Sequence, residues 1–199
     1  MTLTEAIEEV ISITKRADKR TEIISNINKA ILYFTLKASF AKDLVETSIP
    51  FSATDYAQSI DLTALAVPLT RFRKWKYLRP TSRRYYLNFR DPTQVVGPNG
   101  VVQTDTFYMA GDTLIVALSQ LDSTCEVGYY TYPAILSEAG VTAHWMLTMC
   151  PWMVTERAAS QTFKSIGDDV SATFYERSSN ELFLTARADF EDQVADFAR

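Results

Sequence analysis

The hydrophobic period of this chain changes twice, and that change bounds the fold. Residues 3–34 repeat apolar side chains at helical spacing. Thr2 and Glu5 have the spacing of a capping box. Leu3, Ile7, Val10 and Ile11 then follow at i, i+4, i+7 and i+8, one face of a 3.6-residue period. The polar run at 16–20 predicts a turn. Ile23, Ile24, Ile27, Ala30, Ile31 and Phe34 mark a second helix. The short link predicts an antiparallel helical hairpin.

After about residue 45 the helical period disappears. Pro50, Pro68 and Pro80 punctuate the chain, and β-rich stretches are expected at 58–62, 70–78 and 83–89. Residues 91–100, DPTQVVGPNG, carry several turn dipeptides and read as an exposed loop. Two apolar runs flanking Ala110-Gly111-Asp112 predict a hairpin, and residues 125–133 a last strand. Helical spacing returns near 140. A short helix is expected within 142–149, and Pro151 suits the first turn of the next. Gly167 fits a helix stop, and Asp168 or Asp169 the following N-cap. The last helix is expected over 169–196, with a stripe of Phe183, Ala186, Phe190, Val194 and Phe197.

The expected class is therefore α+β. N-terminal helices (1–45) and C-terminal helices (140–199) form a small bundle. A central antiparallel β-rich insertion (46–134) and a long C-terminal helix complete a single domain over 1–199.

Catalytic motifs are not found. His144, the lone histidine, lies among apolar residues and reads as a core or interface group. Nucleophile elbow, P-loop and dinucleotide fingerprints are missing. Six glycines are few for a cofactor cradle. Asp168-Asp169 reads as a helix cap rather than a cation site. Cys125 and Cys150 read as buried, reduced thiols rather than a disulfide scaffold or zinc site. The expectation is no enzyme, no cofactor and no metal. No run approaches a membrane span, and the acidic start argues against a signal peptide.

Charge is concentrated in one place. Residues 71–90, RFRKWKYLRPTSRRYYLNFR, hold eight Arg or Lys, six aromatics and no acid. The whole chain is −4, so the remainder carries −12. Three readings are open. Arg71, Arg73, Lys74, Trp75, Lys76, Arg79, Arg83 and Arg84 could form an interface to an acidic surface of a neighbour. They could bind single-stranded nucleic acid, the cations on phosphates and the aromatics under bases. They could also be ordinary solvated strands. Strict alternation would put Arg71, Arg73, Trp75 and Tyr77 on one face and Phe72, Lys74, Lys76 and Leu78 on the other. Neither face is cleanly apolar, which favours an edge or interface strand.

The stretch from Gly128 to Ala186 resembles a family, the head-to-tail adaptor (connector) proteins of tailed, chiefly short-tailed, bacteriophages. The resemblance is carried by an aromatic strand ending at Tyr132-Pro133, a short helix with Trp145, a helix opened by Pro151, and a polar turn at Gly167–Asp169. The N-terminal helix pair and the β-insertion match in order. The resemblance implies a structural virion protein at the head–tail junction, assembled in the host cytoplasm. It implies a ring of about twelve copies under the portal protein, extending the channel for genomic DNA and docking tail nozzle or tail-tube proteins. It supplies no catalytic residues and no membrane contact. The stripe end at Phe190, Val194 and Phe197 is then a candidate portal-binding segment, with packing on the N-terminal helices as its alternative.

Overall fold

The computed structural model describes residues 1–65, 69, 71–95 and 103–191. The fold is α+β. The chain forms two compact units with separate cores. One is built from Met1–Asp43 and the chain that returns at Tyr132, the other from Leu44–Thr131.

The first unit is helical. Its elements are α1 (Leu3–Thr14), α2 (Arg20–Lys37), and, after the β unit, α4 (Trp145–Met149), α5 (Pro151–Ser165) and α6 (Asp169–Phe190). The capping box at the start of α1 is formed, with Glu5 accepting from the Thr2 N–H at 2.7 Å. These bonds to Thr2 hold the Glu5 carboxyl below its usual range. Helix α5 packs against α1, α2, α4 and α6. Leu3, Ile7 and Val10 meet Ile23, Ile27 and Phe34 of α2 and Val154 and Ala158 of α5 in one buried core. Phe34 stacks on Phe183 of α6 with ring centroids 5.2 Å apart. Polar cross-links run through this core. Asn26 donates to Thr162 Oγ1 at 3.1 Å, and Ser160 Oγ donates to the Ala172 carbonyl at 2.8 Å. Gly167 takes φ +81°, and Asp168 caps α6 by accepting from the Ser171 N–H at 3.0 Å.

Helix α6 is shorter than its sequence pattern. It ends at Phe190, because Glu191 turns extended (ψ 136°) and bridges to Phe40. Its 22 residues span about 33 Å at the standard rise. Val194 and Phe197 lie outside the described residues.

The second unit holds two sheets. In one, β7 (Thr124–Thr131) lies between β1 (Leu44–Pro50) and β3 (Phe72–Pro80), all antiparallel. In the other the order is β2 (Ala57–Asp61), β6 (Thr113–Ala117), β5 (Thr106–Ala110) and β4 (Asn88–Phe89). The β4–β5 pair is parallel, so the unit is mixed and not antiparallel throughout as expected. A short helix, α3 (Pro92–Val95), lies between β4 and β5 in sequence, inside the expected loop. The hairpin β5–β6 forms as anticipated, with Gly111 at φ +62°. Its core joins Ile49, Leu78, Cys125 and Val127 to Phe107, Leu114 and Val116.

Two strands also depart from the sequence reading. Strand β1 carries no clear alternation, since Ile49 is its one buried residue, and it exists through pairing with β7. The strand expected over 83–89 shrinks to Asn88–Phe89. Residues 80–83 form a turn instead, closed by the Arg83 N–H donating to the Pro80 carbonyl at 3.0 Å and by Asp122 accepting from Ser82.

Candidate interaction site

The basic strand β3 resolves its faces by bulging. Register shifts fall between Phe72 and Lys74 and between Trp75 and Tyr77. Each inserts one extra residue. Phe72, Trp75 and Leu78 therefore pair opposite Thr131, Tyr129 and Val127, on one face of β7. Lys74, Tyr77 and Arg79 pair opposite Tyr130, Gly128 and Glu126, on the other. The apolar face advances in steps of three rather than two, which is why strict alternation finds no apolar face. The rings confirm the grouping. Phe72 and Trp75 centroids are 4.7 Å apart, and Phe72 lies 5.8 Å from Tyr129.

On the opposite face, Tyr77 crosses Gly128 to donate to Glu46 of β1 at 2.6 Å. A Cβ at position 128 would stand 2.5 Å from the Tyr77 ring, so the glycine is what lets the ring lie there. Burial and then the bond to Glu46 raise the Tyr77 pKa. Arg73 and Lys74 lie over the buried Tyr130 ring, at 5.5 and 5.3 Å from its centroid.

Beside β3 is a cleft of about 440 Å³ within the β unit. Its floor is aromatic and thioether: Phe72 and Trp75 from β3, Phe89 from β4, and Phe107 and Met109 from β5. Arg73, Lys74, Lys76 and Tyr130 complete its lining. The Trp75 indole N–H is buried and has no acceptor among the described residues.

The eight interface candidates thus separate into three groups. Arg73, Lys74, Trp75 and Lys76 come together at the cleft. Arg71 and Arg84 are exposed. Arg79 and Arg83 are engaged inside the unit. Arg79 forms a fork onto Glu126 of β7. Arg83 has a side chain only 2% exposed, donates to Asp105, the Gln120 carbonyl and the Tyr85 hydroxyl, and is a structural tie rather than an interface group. Burial alone would raise the Asp105 pKa. The hydrogen bonds from Ser119 and the Arg83 charge outweigh it, and the carboxyl ends below its usual value.

In the helical unit, Phe190 packs against the core with its ring 5.8 Å from Trp145. It is engaged by its own unit, as the packing alternative requires. The opposite side of α6 carries a different pattern. Val170, Phe174 and Leu184 are 83%, 65% and 63% exposed. At 100° per residue they fall within one narrow stripe, with the Arg177–Glu181 ion pair between them at 3.0 Å. Sequence reasoning passed over this stripe because the buried one, through Phe183 and Ala186, is more apolar. It also missed Phe89, Phe107, Met109 and Tyr130, which only the sheet arrangement brings to the cleft.

His144 is the N-cap of α4, its Nδ1 accepting from the Met146 N–H at 3.2 Å. Both cysteines are free thiols. Burial pushes Cys125 up to about 12 and raises Cys150 less, because Cys150 is half-buried, not buried as expected. Among the described residues no cluster of three or more His, Cys, Asp or Glu is placed to hold a metal ion. No described helix is long and apolar enough to cross a membrane. Neither protein-family models nor curated proteins match the chain.

Proposed function

We propose that this protein is a structural head-to-tail adaptor of a tailed bacteriophage. In this reading copies form a ring under the portal, extend the channel for genomic DNA and dock the tail. The observation that carries it is the outer stripe of α6. Scattered exposed apolar side chains are ordinary. Three on one stripe, opposite the face that α6 already buries, make a surface suited to a neighbour. A ring needs heterologous contacts, in which one surface meets a different one on the next copy. The chain offers a second, different surface in the basic segment, where Arg71 and Arg84 remain exposed. The α–β–α order of elements agrees with the family resemblance. Arg83 takes no part in the contact, since reversing its charge would break the β unit rather than an interface.

The test is native mass spectrometry and electron microscopy of the purified chain, alone and mixed with its cognate portal ring. The expected result is a closed ring decorating the portal. A chain that ignores the portal yet shifts single-stranded oligonucleotides with steep salt dependence would overturn the adaptor reading and return the cations to phosphate.

A further inference from the structure

We propose that the outer stripe of α6 docks in a groove along α2 of the next copy. The inference rests on the ring reading for the presence of that copy, and names the surface that the stripe meets. The groove lies wholly within the helical unit. It encloses about 470 Å³ between Ile24, Asn28 and Leu32 of α2 and Pro133, Ala134 and Ile135 of the returning chain. Asn28 builds it. Its side-chain amide donates to the Leu136 carbonyl at 3.0 Å, and its side-chain oxygen accepts from the Leu136 N–H at 2.7 Å. These two bonds hold the returning chain along the helix, with Ile135 left 80% exposed. An apolar groove with a large apolar side chain standing in water beside it favours an apolar occupant.

One copy cannot bring its own stripe and groove together. Phe34 of α2 and Phe183 of α6 stack inside the core. At about 100° per residue, Ser25 and Leu32 fall opposite Phe34, and Phe174 falls opposite Phe183, so both apolar surfaces face away from that core. The two helices run in the same direction, because each is antiparallel to α5. Asn26 meets Thr162 while Tyr33 meets Arg157, and Ser160 meets Ala172 while Arg157 meets Glu176. Rotation about an axis along the helices therefore lays α6 of one copy parallel to α2 of the next. In that direction the surfaces match in length and charge. Phe174 to Leu184 spans about 15 Å, and the groove from Thr21 to Leu32 about 16 Å. Among the described residues that line the groove, Lys29 alone is charged, and it is exposed. Lys29 stands three residues before Leu32, and Glu181 three residues before Leu184, so leucine against leucine brings the two charges level. Glu181 gives one oxygen to Arg177 and keeps the other for a second donor.

The experiment compares the full chain carrying Ile135→Glu, the full chain carrying Phe174→Glu, and an equal mixture of both. Association is read by sedimentation and native mass spectrometry, free and on the cognate portal ring. Both positions are exposed, and an unchanged melting temperature shows that each variant folds. Either variant alone should associate at least about tenfold more weakly than the unsubstituted chain. The mixture should form a one-to-one pair and stop there, because one intact stripe meets one intact groove. On the portal, each variant alone should sit as separate copies, and the mixture as pairs. Lys29→Glu should weaken association about threefold, and Glu181→Lys added in the same chain should restore it. Undiminished self-association of the Ile135→Glu chain would mean that stripe meets stripe, and of the Phe174→Glu chain that groove meets groove. Either result overturns the proposal. So does a closed ring that neither variant breaks, which leaves the adaptor reading standing. Pairing in the mixture by a chain that ignores the portal would sink the adaptor reading and leave the contact in place. An unsubstituted chain that stays monomeric, free and on the portal, overturns both.

Discussion

At the residue scale, two neighbouring arginines that look alike in sequence do different work. Arg83 is buried against Asp105 and a backbone carbonyl, while Arg84 faces water. Removing one partner of a buried ion pair leaves the other charge uncompensated. Arg83→Met should therefore cost about 3–5 kcal/mol in urea denaturation. Arg84→Met should change stability by less than about 0.5 kcal/mol. Equal effects would refute the assignment. Gly128→Ala should cost about 1–3 kcal/mol, because the new methyl meets the Tyr77 ring. In a Tyr77→Ala background the same change should cost clearly less, and a double-mutant cycle reads the difference. The carboxyls of Asp105 and Asp122 set a pH dependence. Burial works to raise both, but hydrogen bonds from Ser119 and Ser82 prevail and both end below their usual value. Groups with depressed folded-state values stabilise fully above the unfolded value, near 4. That stability is lost as pH falls through the lower folded-state value. Thermal melting should thus be flat from neutral pH to about 5 and fall below about 4, less steeply in Asp105→Asn.

At the element scale, α6 is a helix with two apolar faces. Phe183 and Ala186 are buried in the bundle, and Val170, Phe174 and Leu184 are not. Exposed substitutions rarely disturb a fold. Phe174→Ser with Leu184→Ser should leave helicity and melting temperature nearly unchanged. It should abolish ring formation on the portal, as read by native mass spectrometry. A variant that unfolds would instead place those side chains in the protomer's own packing. Strand β3 shows how far an element can be read without its partners. Its length and its aromatic and basic composition were legible. Its faces were not, because two bulges set by pairing with β7 change the side-chain period. The end of α6 failed for a related reason. The apolar stripe runs on past Phe190, but Glu191 leaves the helix to bridge Phe40, a contact far away in sequence.

At the scale of the whole molecule, the proposed ring would give the charge polarisation of the chain a use between copies. Within that +8 segment Arg79 and Arg83 are paired inside the β unit, while Arg71 and Arg84 are exposed. In the proposed ring the exposed pair would serve every copy when copies meet head to tail. Contacts between exposed opposite charges are screened by salt, with a Debye length of about 10 Å at 0.1 M. Ring assembly on the portal should therefore weaken as salt rises from 50 mM to 500 mM, and Arg84→Glu should reduce that salt dependence. Assembly indifferent to salt would leave the apolar stripe of α6 as the main contact and remove the cations from it.

The sequence by itself determined what local physics can specify. The capping box of α1, the Pro151 start of α5, the Gly167–Asp168 junction and the Gly111 hairpin are decided within a few residues, by caps and by φ values that glycine tolerates. The α+β class and the places of α1, α2, α5 and α6 follow from hydrophobic period, whereas β1 and α3 do not. Only the tertiary structure decided which cations are tied down within their own unit. Arg79 and Arg83 are consumed by Glu126 and Asp105, residues 47 and 22 positions away. It also decided that Phe89, Phe107 and Met109 join Trp75 around one cleft. Those facts depend on sheet register and strand order, which arise from pairings between distant segments and leave no periodic trace along the chain.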